Sequence, residues 1–317
     1  LKIVALLIVL ILVLSVGMYF YADSKLTRAN VLVDYANRPA VGAGQNWLIT
    51  GSDSRQGLTP QQEAQLATGH DVSGQRSDTI MILHIPAGSG RAVLVSLPRD
   101  WYVPIPGNGS NKINAAFAFG GGKLLAQTVE GVTGLHIDHY MSIGFGGLVN
   151  VVNAVGGVRM CLPSPMVDPA AGLNLKAGCQ VLDGAQALGF VRSRHLFANQ
   201  DLQRVQDQRL FLRALLSKMT STGTLINPFA TVPAGFGAAS ALTVDQGTHL
   251  YQLIEVAFAL RNPQTGTVPI GSSGFVANAG DVLFSDRAKA LELFNALKND
   301  QPVPVGVLTG SSAAPAA

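Results

Sequence analysis

The sequence predicts an α/β layered domain standing behind one N-terminal membrane-spanning helix. Three observations predict it: an uncharged apolar run of about 20 residues at the start, a group of short β-branched strands after a polar stretch, and a succession of amphipathic helices over the remainder. The chain has 317 residues, 48% hydrophobic and 13% charged. That is enough apolar material for a large core and excludes wholesale disorder. With 22 Lys plus Arg against 19 Asp plus Glu, the net charge is only +3. No broad basic face for nucleic acid is implied.

The first element, Ile3 to Ala22, reads IVALLIVLILVLSVGMYFYA. Its length suits a helix crossing the bilayer core, and it exceeds the apolar region of a cleavable signal peptide. It ends in aromatics instead of a small-residue cleavage site, so residues 1–22 are expected to be an anchor. Lys2 precedes the run while Lys25 and Arg28 follow it, and the charges do not decide its orientation. Residues 23–45, polar and rich in small side chains, read as a stalk.

The globular pattern starts at Asn46 and extends to residue 308. Trp47 to Thr50, Thr79 to Ile85 and Ala92 to Leu97 are strands, apolar enough to be covered on both faces. Gln56 to Gln75 between the first two is a polar surface loop. Helical spacing follows over Ala115 to Gly131, Phe145 to Val155, Gly184 to Phe190, Asp201 to Thr220, Gln246 to Leu260 and Asp286 to Asn299. Thr265 to Ile270 and Asp281 to Phe284 are late strands. Residues 309–317, TGSSAAPAA, form a disordered tail or linker. Cys161 and Cys179 fit either a disulfide in an oxidising compartment or two small buried apolar side chains.

No Walker A loop, H-E-x-x-H, G-x-S-x-G or zinc-spaced Cys/His set occurs. His136 and His139, flanking Asp138, suit a strand or loop surface better than a ligand pair. What stands out is Arg and Asp at strand ends. Gly51-Ser52-Asp53-Ser54-Arg55 follows the first strand, Arg76-Ser77-Asp78-Thr79 opens the second, and Pro98-Arg99-Asp100 closes the third. In open α/β sheets such loops converge on one crevice. Asp201, Arg204 and Gln208 share one face of a later helix, beside an apolar stripe of Leu202, Val205, Leu212, Leu216 and Met219. Arg192 and Arg194 point to one side if residues 190–194 are extended.

Each residue has an ordinary alternative: Asp53 a turn former, Asp78 a strand-end cap, Asp201 a helix cap, each Arg a surface ion pair. Yet seven of the 22 basic residues, Arg55, Arg76, Arg99, Lys112, Arg192, Arg194 and Arg204, lie in or beside these junctions. Converging guanidinium groups call for a dense anion, and pyrophosphate fits. Paired carboxylates beside it suggest Mg²⁺ on Asp53 and Asp78.

The succession GSDSR, RSDT, SLPRD, NKINAAFAFGG, GGV at Gly156 to Val158, LDGAQALGFVRSR and DLQRVQDQ resembles the LytR-CpsA-Psr family from Asn46 to Met219. The resemblance implies an α/β/α catalytic domain with a central mixed sheet, placed outside the membrane, with an apolar tunnel for a polyprenyl chain. It implies a phosphotransferase that moves a glycopolymer from polyprenyl pyrophosphate to peptidoglycan with Mg²⁺. Asp53 and Asp78 would hold the metal. Arg55, Arg76, Arg99, Lys112, Arg192, Arg194, Arg204 and Gln208 would surround the pyrophosphate. Asp78, Arg99, Asp201 and Arg204 would form the catalytic group, Asp201 orienting its arginine neighbours. A muramyl 6-hydroxyl would attack the sugar-proximal phosphorus, and Asp78 is the candidate for its proton. Asn153 and Asp207 depart from the family's usual Asp and Arg.

The GSDSRQGLTPQQE stretch is similar to actinobacterial members, which implies arabinogalactan carried on decaprenyl pyrophosphate. Other members imply teichoic acid or capsular polysaccharide, with undecaprenyl as the carrier. A lipid pyrophosphate hydrolase and a non-catalytic polyprenyl phosphate-binding regulator are the competing readings. Phe117, Phe119, Leu148 and Phe211 are tunnel candidates, with core packing as the alternative.

Overall fold

The structure, a computed structural model, describes residues 2–53, 63, 66, 77–193, 210–211, 214–215, 217–218, 237 and 239–308. The expectations for the 56–75 loop, for most of the 201–220 helix and for the 309–317 tail fall largely or wholly outside them. The chain opens with α1 (Lys2–Asp23), then β1 (Thr27–Ala29), β2 (Gln45–Ser52), β3 (Ser77–Ile85), β4 (Val93–Leu97) and the hairpin β5 (Tyr102–Ile105) and β6 (Gly109–Lys112). α2 (Ile113–Thr133), β7 (His139–Ile143) and α3 (Phe145–Ala154) follow. Next come β8 (Val158–Leu162), β9 (Met166–Asp168), β10 (Leu173–Leu175), β11 (Gly178–Leu182) and α4 (Gly184–Arg192). The last part comprises β12 (Leu242–Asp245), α5 (Leu250–Ala259), β13 (Gln264–Thr267), β14 (Ile270–Val276), β15 (Gly280–Ser285) and α6 (Arg287–Lys298).

Seven strands make a mixed sheet in the order β1-β12-β7-β2-β3-β4-β13. β3 explains the layering. Its side chains alternate, so Ile80 and Ile82 join Leu48, Val93 and Val95 on one face, under Leu125 and Val129 of α2 and Leu293 and Phe294 of α6. Met81 and Leu83 join Trp47 and Leu94 on the other, under Val256 of α5 and Leu260. The apolar strand runs are thus explained by helices on both faces. A second core gathers α3, α4 and the short strands β8 to β11 with Phe211 and Leu215.

Several expectations change. Residues 23–45 are not a stalk: β1 pairs in parallel with β12 at the edge of the sheet. Beyond it, Tyr35 Oη donates to Glu130 Oε2 at 2.9 Å and Arg38 Nε to Glu130 Oε1 at 3.0 Å. Burial, then the neighbouring Glu130 carboxylate, hold the Tyr35 phenol far above its ordinary pKa. The helix expected over 115–131 begins at Ile113 and is broken at Gly120 and Gly121. The strand expected over 265–270 splits at Val268 and Pro269, because proline cannot donate to a continuing ladder. Residues 190–192 are the last turn of α4, so the extended reading of 190–194 fails where it is described. The cysteine alternatives resolve to a Cys161–Cys179 disulfide between register partners of β8 and β11.

Candidate active site

Three strand ends meet at one edge of the sheet. β2 ends at Ser52, which pairs with Ser77 at the start of β3, and β4 ends at Leu97 opposite Ile80. β2, β3 and β4 are successive antiparallel neighbours. Asp53, Asp78 and Arg99 therefore enter or leave the sheet on the same side, as the strand-end motifs predict. β7 runs parallel to β2 and brings Ile143 level with Gly51, which delivers Phe145 to this edge as well.

The β2–β3 ladder is irregular here. Gly51 pairs with Thr79 but Ser52 pairs with Ser77, so the register skips Asp78. Such a bulge bends a strand and re-aims its side chains, and bulges concentrate beside active sites. Ser77, fully buried, has its hydroxyl 3.1 Å from the Gly51 carbonyl and 2.9 Å from that of Thr79, so it donates to one or the other. Gly51 is needed for the close approach: a Cβ there would stand 3.1 Å from Thr79 Cβ. Asp53 follows, partly buried. In the chain Asp53 follows Ser52 and Asp78 follows Ser77, so both positions adjoin the Ser52–Ser77 pair; carboxylate oxygen is the hard ligand that magnesium prefers.

The Pro98–Trp101 turn presents the cations. Trp101 N–H donates to the Pro98 carbonyl, and the Trp101 ring is buried beside Phe294. The first two N–H groups of α2, from Ile113 and Asn114, donate to the carbonyls of Trp101 and Arg99. Leu283 N–H donates to the carbonyl of Asp100. The backbone is held from two sides, and the side chains of Arg99, Asp100 and Lys112 remain partly accessible. Asp100 accepts from Arg99 Nε at 3.2 Å and from Lys112 Nζ at 2.8 Å. It spaces two cations that would otherwise repel, at the positive end of α2. The sequence signal for Asp100 is its adjacency to Arg99 in the Pro98-Arg99-Asp100 motif.

Arg192 reaches this region along another route. Its guanidinium stacks on the Phe145 ring with 5.0 Å to the centroid, and its NH1 donates to the Leu66 carbonyl at 2.9 Å. Next to it Ser193 Oγ donates to the buried Asp168 carboxylate at 3.0 Å, which fixes where the chain leaves α4. Asp168 carried no signal in the sequence. Asn153, the departure from the family pattern, accepts the Gly184 N–H at 2.8 Å and so ties α3 to the start of α4. Its role is structural.

Among the predicted site residues, Asp53, Asp78 by its backbone, Arg99, Lys112 and Arg192 are described. Arg55, Arg76, Arg194, Asp201, Arg204 and Gln208, and the departure at Asp207, lie outside the described residues. Among the described residues no cluster of three or more His, Cys, Asp or Glu suits a metal. His139 packs against Trp47 with ring centroids 4.3 Å apart, and burial lowers its pKa despite Asp138, Asp245 and Glu255 nearby. Of the tunnel candidates, Phe117 and Phe211 are buried in the two larger cores, while Phe119 is exposed.

The fold and this edge define a mixed-sheet α/β protein that presents carboxylates and cations together at its strand ends. Residues 21–293 match the model of the LytR_cpsA_psr family, and the chain belongs to the LytR-CpsA-Psr family. It is 50% identical over 288 residues to the Corynebacterium glutamicum protein named "Probable cell wall biosynthesis protein LcpB", covering 90% of this chain and 68% of that one. It is 30% identical to the "Cell wall biosynthesis protein LcpA" of the same organism, over 81% of this chain and 56% of that one. To the Bacillus subtilis "Polyisoprenyl-teichoic acid--peptidoglycan teichoic acid transferase TagT" it is 33% identical, over 55% of this chain and 56% of that one. The chain thus spans about half to two thirds of these relatives' lengths. The fold matches that of the "LytR-Csp2A-Psr enzyme from Actinomyces oris" with a TM-score of 0.66 at 21% identity, covering 86% of this chain and 96% of that one.

Proposed function

We propose that this chain is a membrane-anchored phosphotransferase acting outside the membrane, which transfers a glycopolymer from a polyprenyl pyrophosphate carrier to the muramyl 6-hydroxyl of peptidoglycan. The observation that carries the reading is that the chain at Asp53, Asp78 and Arg99 meets at one bulged sheet edge, with Lys112 joined to Arg99 through Asp100 and Arg192 lying over Phe145. Arginine forks and a lysine suit pyrophosphate oxygens, and they would stabilise charge as the phosphoryl group moves. The 6-hydroxyl oxygen bonds to the sugar-proximal phosphorus, giving its proton to Asp78 as the candidate base, while the bond from that phosphorus to the bridging oxygen breaks and polyprenyl phosphate departs. Arg99 and Lys112 hold the phosphate oxygens, and Asp100 keeps their spacing. Asp53 and Asp78 would hold Mg²⁺, which neutralises pyrophosphate charge when bound.

Location is supported by α1, an apolar helix of 22 residues, long enough to cross a bilayer. The Cys161–Cys179 disulfide suits an oxidising compartment. For the cargo we favour arabinogalactan on a decaprenyl carrier, on the likeness of the GSDSRQGLTPQQE stretch to actinobacterial members of the family.

The test uses the full chain in lipid vesicles with a radiolabelled polyprenyl pyrophosphate glycan, Mg²⁺ and peptidoglycan. Label should reach peptidoglycan, and Arg99→Ala should lower the rate by about 10²–10³. Label released only as free phospho-glycan would make the protein a hydrolase. Carrier bound without turnover would make it a lipid-binding regulator.

A further inference from the structure

α5 is apolar nearly all round: in LYQLIEVAFA only Gln252 and Glu255 are polar. One face, with Leu253 and Val256, packs on the sheet. On the opposite face Tyr251, Ile254 and Phe258 are 50%, 47% and 51% exposed. At helical spacing these three fall within an arc of about 60°. Glu255, exposed, flanks that arc. A helix apolar on two faces and covered on one calls for a second cover.

Its position says what covers it. The Leu250 N–H, the first of α5, donates to Asp23 Oδ1 at 2.8 Å, and Asp23 is the last residue of α1. His249 Nδ1 lies 3.3 Å from Asp23 Oδ2, which also accepts from Arg28 at 2.6 Å. α5 therefore begins one carboxylate away from the end of the apolar helix. α1 finishes with Tyr19, Phe20 and Tyr21, side chains of the kind that collect at a membrane interface. Tyr251 stacks on His249 beside that joint, with centroids 6.2 Å apart, and extends the same aromatic belt. Cations accompany the aromatics. Lys25 Nζ lies 4.7 Å from the Tyr21 ring, and the Arg261 guanidinium 4.7 Å from the Phe258 ring. Apolar rings edged by Lys and Arg match the boundary between acyl chains and anionic headgroups.

We propose that the outer face of α5 is a second membrane contact, with Tyr251, Ile254 and Phe258 seated in the headgroup boundary of the bilayer that α1 enters. This rests on the membrane anchoring proposed above. The contact holds the domain in one orientation on the lipid surface, which a lone spanning helix would not do.

The test is spin labelling of the full chain in vesicles of phosphatidylethanolamine and phosphatidylglycerol. The two native cysteines are joined to each other, so a single introduced thiol takes the nitroxide. Leu12→Cys reports the span, Ile254→Cys the α5 face, and Phe275→Cys the exposed β14–β15 hairpin. Relaxation by oxygen marks lipid, and relaxation by an aqueous nickel chelate marks water. The oxygen-to-nickel ratio should be several-fold higher at Ile254→Cys than at Phe275→Cys, with an unchanged melting temperature. Leu12→Cys in lipid with Ile254→Cys in water would overturn the contact and leave the anchor standing. Ile254→Cys shielded from both reagents would mean a protein cover, a second copy or another partner, and would also overturn it. Leu12→Cys in water would remove the anchor and the contact together.

Discussion

At the residue scale, Asp100 sits between Arg99 and Lys112 and is bonded to both. An accessible ion pair contributes about 0–1 kcal/mol to stability, so its value lies in placing the two cations. Asp100→Asn should leave the melting temperature nearly unchanged and lower the transfer rate roughly tenfold, a loss of about 1.4 kcal/mol in the barrier. Steady-state assays beside a thermal melt would check this. His139 gives a pH dependence. Burial lowers its folded pKa from 6.5, so below about pH 6.5 the unfolded chain binds a proton that the folded one resists. Its contribution is complete above that pH and is lost as the pH falls towards the folded pKa. Denaturant titrations at neutral pH and at about pH 5.5 should show a smaller acid loss for His139→Gln than for the wild type. The positions of Arg99 and Lys112 were legible, because the strand before Arg99 and the helix after Lys112 have a clear apolar pattern. Asp168 and Asn153 were not, because their work is to bond backbone and hydroxyl groups that only the folded chain brings near.

At the element scale, long apolar strands and amphipathic helices were legible because burial on two faces leaves a pattern. α3, α4 and α6 lie within a few residues of their expected limits. The two-stranded pairs β5–β6, β8–β11 and β9–β10 were not legible, since three to five residues of mixed polarity carry too little periodicity. The break in α2 was also hidden, although its cause is visible in GGG. Gly121 has φ 63° and ψ −158°, a region essentially reserved for glycine, and a Cβ there would touch nothing within 4 Å. Gly121→Ala should thus cost about 1–3 kcal/mol through the backbone alone. Gly131→Ala, in regular helix with equal room, should be neutral or stabilising by up to about 1 kcal/mol. Denaturant midpoints of the two variants separate backbone strain from crowding.

At the scale of the whole molecule, the layered sheet was legible while the boundary of the domain was not. Residues 23–45 look like a polar linker in the sequence, yet they supply an edge strand and the half-buried Tyr35 and Arg38 that bind buried Glu130. Their polarity is satisfied by a partner more than ninety positions away, which no local pattern reveals. Glu130→Ala would take a partner from Tyr35, Arg38 and the Ile137 N–H together, while Arg38 keeps Asp34 and the Ile137 carbonyl. Its expected cost is about 1–3 kcal/mol, read from a shift in the denaturant midpoint. α5 also governs how the molecule would stand on lipid. It covers one face of the sheet, so resting its outer side on a bilayer turns the strands parallel to the membrane plane. The edge with Asp53 and Arg99 then opens sideways, at an elevation of about one helix diameter, roughly 10 Å. A carrier diffusing within its leaflet would dock from the flank, its pyrophosphate rising by little more than that thickness.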